Sequence, residues 1–303
     1  MSVDILDARF AQLVSPGEAV QRLWTGARWA EGPVWFGESC TLLFSDIPHN
    51  RKLRWIPEGG PLGQVTEYTR EANFSNGHTR DAQGRVLVCE HGTRRVVRIG
   101  TDGAVQVLAT HWGAHRLNSP NDVVVTRDGA VWFTDPTYGI LSNKEGCQAP
   151  AEYGGAYVFR LDPASGALEV VADDFAQPNG LAFSPDESRL YVADSAASHD
   201  PAGAHHVRVF TRASDGRWRG GAVFAEISPG VPDGLRVDAM GHVWISAGDG
   251  VHCHAPDGTL IGRILVPEVV ANLCFGGQDG RELFITATTS LYRCRVLVRG
   301  ATP

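Results

Sequence analysis

The sequence predicts an all-β fold: a six-bladed β-propeller in which an N-terminal strand completes the last blade. Three observations lead there. First, a short unit recurs six times, in which a polar residue, in four copies followed by Gly, opens an apolar strand that a turn connects to a second one. Second, the step from the polar anchor to the matching apolar residue of the second strand is nearly constant. Glu31 to Leu43 is 12, Asn76 to Leu87 is 11 and Asn121 to Trp132 is 11, while Asn179 to Tyr191 is 12, Asp233 to Trp244 is 11 and Asn272 to Phe284 is 12. Anchor-to-anchor gaps run 45, 45, 58, 54 and 39. A fixed interior with variable gaps is one repeated unit with insertions in its later loops, and units of this size are four-stranded blades. Third, 35 Gly and 17 Pro punctuate many short apolar runs, which favours strands over helices.

In chain order, residues 1–18 carry little strand pattern and read as an N-terminal extension, with a short helix expected over 6–14. The propeller then forms a single domain over 19–303. A strand over 18–25 has no hairpin partner nearby, and the last unit supplies only three strands, over 269–275, 282–286 and 291–298. Joining the two closes the ring and removes sheet edges. Blade one opens at Ala30-Glu31-Gly32-Pro33, blade three at Asn118-Ser119-Pro120-Asn121-Asp122, blade four at Pro178-Asn179-Gly180 and blade five at Pro232-Asp233-Gly234. Asn76-Gly77 and Asn272 are weaker copies. The stretch 137–153 is long for a connection and reads either as a lid or as a tolerated insertion. A second insertion, over 195–204, interrupts the fourth unit in the same place and favours the lid.

The 303 residues are 43% hydrophobic, ample for a large core. A net charge of -7 without a basic cluster argues against nucleic acid and anionic membrane surfaces as partners. No apolar run approaches the roughly 18 residues of a membrane span. The N-terminus carries Asp4 and Asp7 where an export signal would have Lys or Arg, so a cytoplasmic protein is expected. Six Cys without a CxxC pair read as reduced, mostly buried thiols. No Gly-x-Ser-x-Gly elbow or Gly-x-x-x-x-Gly-Lys loop supports serine-hydrolase or nucleotide chemistry.

In a propeller the first strand of each blade lines the central channel, so the anchors gather around one mouth. Asn or Asp before Gly is an ordinary turn pair, but Glu31, Asn121, Asn179 and Asp233 stand in register, one per blade. Two carboxylates and two amide oxygens are hard ligands suited to Ca²⁺ and also acceptable to Mn²⁺, Mg²⁺, Zn²⁺ or Fe²⁺. A divalent ion there could polarise a carbonyl and hold a water, with Asp233 as ligand and general base and Glu31 as the alternative base. The second strands return to the same face and bring Asp46, Glu90, Asp135 and Asp194 near the mouth, and His91 follows one of these acids as a candidate substrate contact. His252-Cys253-His254 resembles a metal cluster, but strand alternation puts Cys253 opposite the two His.

Glu31-Gly32-Pro33-Val34-Trp35, Asn118-Ser119-Pro120-Asn121-Asp122, Phe133-Thr134-Asp135-Pro136-Thr137-Tyr138-Gly139, Pro178-Asn179-Gly180 and Pro232-Asp233-Gly234 resemble the gluconolactonase and senescence-marker-protein (regucalcin) family, and its bacterial gluconolactonase branch in particular. The likeness runs from about residue 20 to 298. It implies a six-bladed propeller with one divalent ion in the channel, and hydrolysis of a small sugar-acid lactone. It puts the metal ligands on Glu31, Asn121, Asn179 and Asp233, the catalytic carboxylate on Asp233, and substrate contacts on Asn118, Ser119, Asp135 and Tyr138. A Ca²⁺-binding propeller without lactonase activity and a phosphotriesterase-like hydrolase are the alternatives.

Overall fold

In the computed structural model, which describes residues 2–301, every predicted hairpin is extended by two further strands into a four-stranded antiparallel blade. Blade three, for example, runs Val123–Val125, Val131–Asp135, Ala156–Leu161 and Leu168–Phe175 from the channel outward. Gln21–Thr25 pairs with Ser290–Arg295, Gln21 opposite Arg293 and Thr25 opposite Ser290, so the N-terminal strand completes the last blade.

Blades pack face to face, which buries their second strands on both sides. Val86–Glu90, Val131–Asp135 and Val243–Ala247 are buried along their whole length, and their near-continuous apolar runs reflect it. An outer strand such as Gln64–Arg70 is mostly exposed and mostly polar. Aromatic rings fill the wedges between blades. Trp35 of blade one stacks on Phe284 of blade six at 5.1 Å, and Trp132 of blade three meets Phe183 of blade four edge-on at 5.2 Å. At the end away from the anchors, Asp81, Asp128, Asp186 and Asp238 each accept the backbone N–H two residues ahead, at 2.9 to 3.1 Å. These self-closing turns fix the hairpins. Cys89, Cys253, Cys274 and Cys294 are buried free thiols, Cys40 is half-buried and Cys147 exposed. Among the described residues no helix is long and apolar enough to cross a membrane.

The first residues depart from expectation. Val3–Ile5 adds a fifth, outermost strand to blade five by pairing with Leu260–Leu265, and the helix expected over 6–14 is a single 3-10 turn, Phe10–Gln12. Tertiary burial explains it. Phe10, Leu13 and Val14 belong to the apolar cluster beneath blades five and six, and the Phe10 ring lies 5.9 Å from Trp244. Gly262 makes room for that ring, since a Cβ there would come within 2.0 Å of it. So short a segment has little helical stability of its own and follows its packing. Phe10→Ala is expected to cost about 3–5 kcal/mol, read as a lowered urea midpoint with an unchanged slope.

Candidate active site at the channel mouth

The six anchors form a closed ring of contacts, one link per pair of neighbouring blades. Blade one joins blade two where His78 Nδ1 donates to the Gly32 carbonyl at 2.8 Å. Gly77 N donates to Asn121 O at 2.8 Å, and Thr134 Oγ1 to Asn179 O at 2.7 Å. Gly180 N donates to Asp233 O at 2.9 Å, and Gly234 N to Ala271 O at 2.7 Å. Asn272 Nδ2 closes the circle on Glu31 Oε2 at 3.0 Å. The glycines after the anchors permit this approach. A Cβ on Gly180 would lie 2.3 Å from Asp233 O, and one on Gly32, whose φ is +54°, 2.0 Å from Asn76 O. The ring therefore draws together residues up to 241 positions apart.

Negative charge concentrates here. Burial pushes the Glu31 carboxyl up to about 8, the nearby Asp122 charge adds to the effect, and bonds from Asn272 and the Gly32 N–H oppose it. Burial also raises Asp233, as do the charges of Glu31, Asp122 and Glu145, while the Asn179 side chain against its carboxyl pulls the other way. Arg236 is the cation that offsets Glu31. Glu31, Asn121 and Asn179 are buried, whereas Asp233 keeps partial exposure. Oxygen donors crowded until they resist ionising together are a donor set that fits a hard divalent cation.

The residues expected to meet substrate are brought to the same mouth, but most are engaged by the protein itself. Asp135 is fully enclosed and accepts from the Asn118 backbone N–H at 2.7 Å and from the Tyr153 hydroxyl. Asp46 does the same for Arg28 N at 2.9 Å, and Asp194 for Gln177 N at 2.9 Å. The physical reason is shared: the chain entering these blades carries N–H groups with no ladder partner, fully or partly shielded from water, and the acid ending the second strand accepts them. Burial still pushes the Asp135 carboxyl up to about 7. Asn118 Nδ2 donates to Gly155 O at 3.0 Å, and Ser119 Oγ donates to Pro136 O at 2.6 Å while accepting from Gly139 N at 3.0 Å.

His91 and Tyr138 hold the long loop. His91 Nδ1 lies 2.9 Å from the Glu145 carbonyl and Nε2 3.3 Å from Asn76 Nδ2. The carbonyl requires a proton on Nδ1, so Nε2 accepts from the amide. Burial holds this ring neutral, its pKa lowered to about 4. The loop 137–153 starts with the helical turn Tyr138–Leu141 and folds back through Cys147 N to Gly139 O at 3.0 Å. Tyr138 reaches the second insertion, 3.3 Å from both Ser195 O and Ser198 Oγ. The two insertions thus meet over the mouth, with Glu145 close enough to act on Asp233.

Asp122, Arg236 and Asn272 were not among the expected site residues. Asn272 shares the anchor spacing but is followed by Leu273, not Gly, and so reads as a weak copy. Arg236 is a polar residue between Leu235 and Val237 on a channel strand, an alternation that could have exposed it. Asp122 passes for a turn residue beside Asn121. His252 and His254 lie away from this ring, bonded to Asp249 at 2.7 Å and Gly258 O at 3.0 Å, while Cys253 packs in the apolar cluster with Trp244.

Residues 29–289 match the family model described as SMP-30/Gluconolactonase/LRE-like region. A gluconolactonase of Zymomonas mobilis is 31% identical, over 96% of this chain and 85% of its own. A pentonolactonase of Haloferax volcanii is also 31% identical, over 86% and 82%. The solved structure of a gluconolactonase from Xanthomonas campestris superposes with a TM-score of 0.90 at 36% identity, covering 98% of this chain and 95% of that one.

Proposed function

This chain belongs to the SMP-30/gluconolactonase/LRE-like family and is a lactonase acting on sugar lactones, and from that premise we propose that it works at the channel mouth with one divalent cation held by Glu31, Asn121, Asn179 and Asp233. The observation that supports the reading is the closed anchor ring, which links the strands opened by Glu31, Asn121, Asn179 and Asp233, together with the influence of Glu31 and the Asn179 side chain on Asp233. Ca²⁺ suits the set best, and its oxygens would also accept Mn²⁺, Mg²⁺, Zn²⁺ or Fe²⁺. When bound, such an ion withdraws charge from a carbonyl oxygen and acidifies an adjacent water.

The chain's own residues supply the rest. Asp233 takes the proton from the attacking water, because it is the partly exposed carboxylate of the pair. Glu31 is buried, with Oε2 engaged by Asn272 Nδ2 and the Gly32 N–H, so it is held for binding and not for proton transfer. Asp233 then returns the proton to the ring oxygen as the acyl C–O bond breaks, leaving an open hydroxy acid. In this reading the loop 137–153 and the insertion at 195–204 hold bulk water off the mouth, and Tyr138, half-buried near Asp233, meets a sugar hydroxyl.

The test is a pH-stat panel of aldono-lactones on chelator-treated protein refilled with each ion in turn, with spontaneous opening subtracted. Chelation is expected to abolish turnover and lower the melting temperature. An ion at a hundredfold excess over its Kd should restore about 2.7 kcal/mol of stability. Full activity after chelation would remove the cation from the mechanism.

A further inference from the structure

Asp122 and Arg236 face each other across the channel beside the anchors. Asp122 follows Asn121 in blade three, and Arg236 lies three residues beyond Asp233 in blade five. Arg236 Nη1 stands 3.4 Å from Asp122 Oδ2 and donates to Leu235 O at 2.7 Å. Asp122 is 1% exposed, and its Oδ1 accepts from Val123 N at 2.9 Å. A Cβ on Gly77 would come within 2.5 Å of that Oδ1, so the carboxylate is wedged between blades two and three.

The charges around the ring have a simple balance. With both anchors ionised around a cation, Glu31, Asp122 and Asp233 contribute three negative charges and Arg236 one positive, which leaves two, the charge of one divalent ion. Glu145, whose charge also acts on Asp233, belongs to the overlying loop, where burial raises its carboxyl and its neighbour Lys144 opposes that. We propose that the Asp122–Arg236 pair is a positioning element that fixes the cation affinity of the mouth, by holding the guanidinium away from the anchors and the net charge of the site at minus two. This rests on the four-anchor cation site proposed above. Without the Asp122 charge, Arg236 would turn to Glu31 and Asp233 and compete with the ion. Without Arg236, Asp122 would add its full charge to the field the ion feels.

The experiment is Ca²⁺ calorimetry on the intact chain and four variants. Asp122→Asn keeps the Val123 bond and should weaken affinity, and Arg236→Met should tighten it, each on the order of tenfold. Arg236→Lys keeps the charge and should stay near the parent. The double variant restores a net charge of minus two and should return toward parent affinity. A purely structural pair would lower affinity in both single variants and more in the double. That result, or unchanged affinities in all variants, overturns the proposal. If the parent takes up neither Ca²⁺ nor, in the same calorimetry, Mn²⁺, Mg²⁺, Zn²⁺ or Fe²⁺, the four-anchor reading fails and this inference with it. Uptake by the parent with unaltered variants sinks the pair alone.

Discussion

Asp233→Asn is expected to lower turnover of glucono-1,5-lactone by a factor on the order of 10² to 10⁴, the range of general acid–base contributions. The substitution is isosteric, so the ring contact from Gly180 N to the Asp233 carbonyl is untouched. What it removes is the only group on the proposed pathway that can take a proton from water while partly exposed. Its effect on stability should have the opposite sign. Asp233 is crowded by Glu31 and Asp122, and that crowding disfavours its charged form. Replacing it by a neutral amide relieves the repulsion, so the variant should melt higher than the parent in chelator. An inactive but stabilised protein is the combined signature. Unchanged lactone turnover, measured with spontaneous opening subtracted, would defeat the assignment.

Gly180→Ala carries the second large effect. Its Cβ would meet Asp233 O at 2.3 Å, Gly234 Cα at 2.7 Å and Leu235 N at 3.0 Å. All three are backbone atoms, so no rotamer change can relieve the contact and blades four and five must separate. Overpacking of this kind costs about 1–3 kcal/mol. The same displacement moves Asp233, and a shift of about 1 Å at a reacting group can cost roughly 10²-fold in rate. Loss of both stability and kcat is therefore expected, read by urea melts and by pH-stat. Gly17→Ala is the control, because nothing lies within 4 Å of a Cβ there. Normal activity in Gly180→Ala would mean that the ring does not position Asp233.

The pair of outcomes separates two layers of the site. Asp233→Asn tests the chemistry of a side chain and leaves the ring intact. Gly180→Ala tests the ring and removes no ionisable group.

How the chain encodes this site divides along the same line. The steps of 11 or 12 between anchor and second strand follow from local rules: two strands of fixed length joined by a tight turn. Such rules repeat in every blade, so the blade number, the closure of the last blade by the strand near residue 20 and the gathering of the blade openings around one mouth are all legible in one dimension. Which side chain answers which is not. Asp135 and His91 read as open to substrate, yet Asp135 closes on the Asn118 backbone and His91 on Asn76 and the Glu145 carbonyl. Asn272 and Arg236 find their partners, Glu31 and Asp122, 241 and 114 residues away. Phe10 gives up a helix for a space over Gly262. Strand period and turn chemistry are properties of a few consecutive residues. The pairing of buried charges and amides depends on burial and on contacts across the ring, and only the closed tertiary structure decides those.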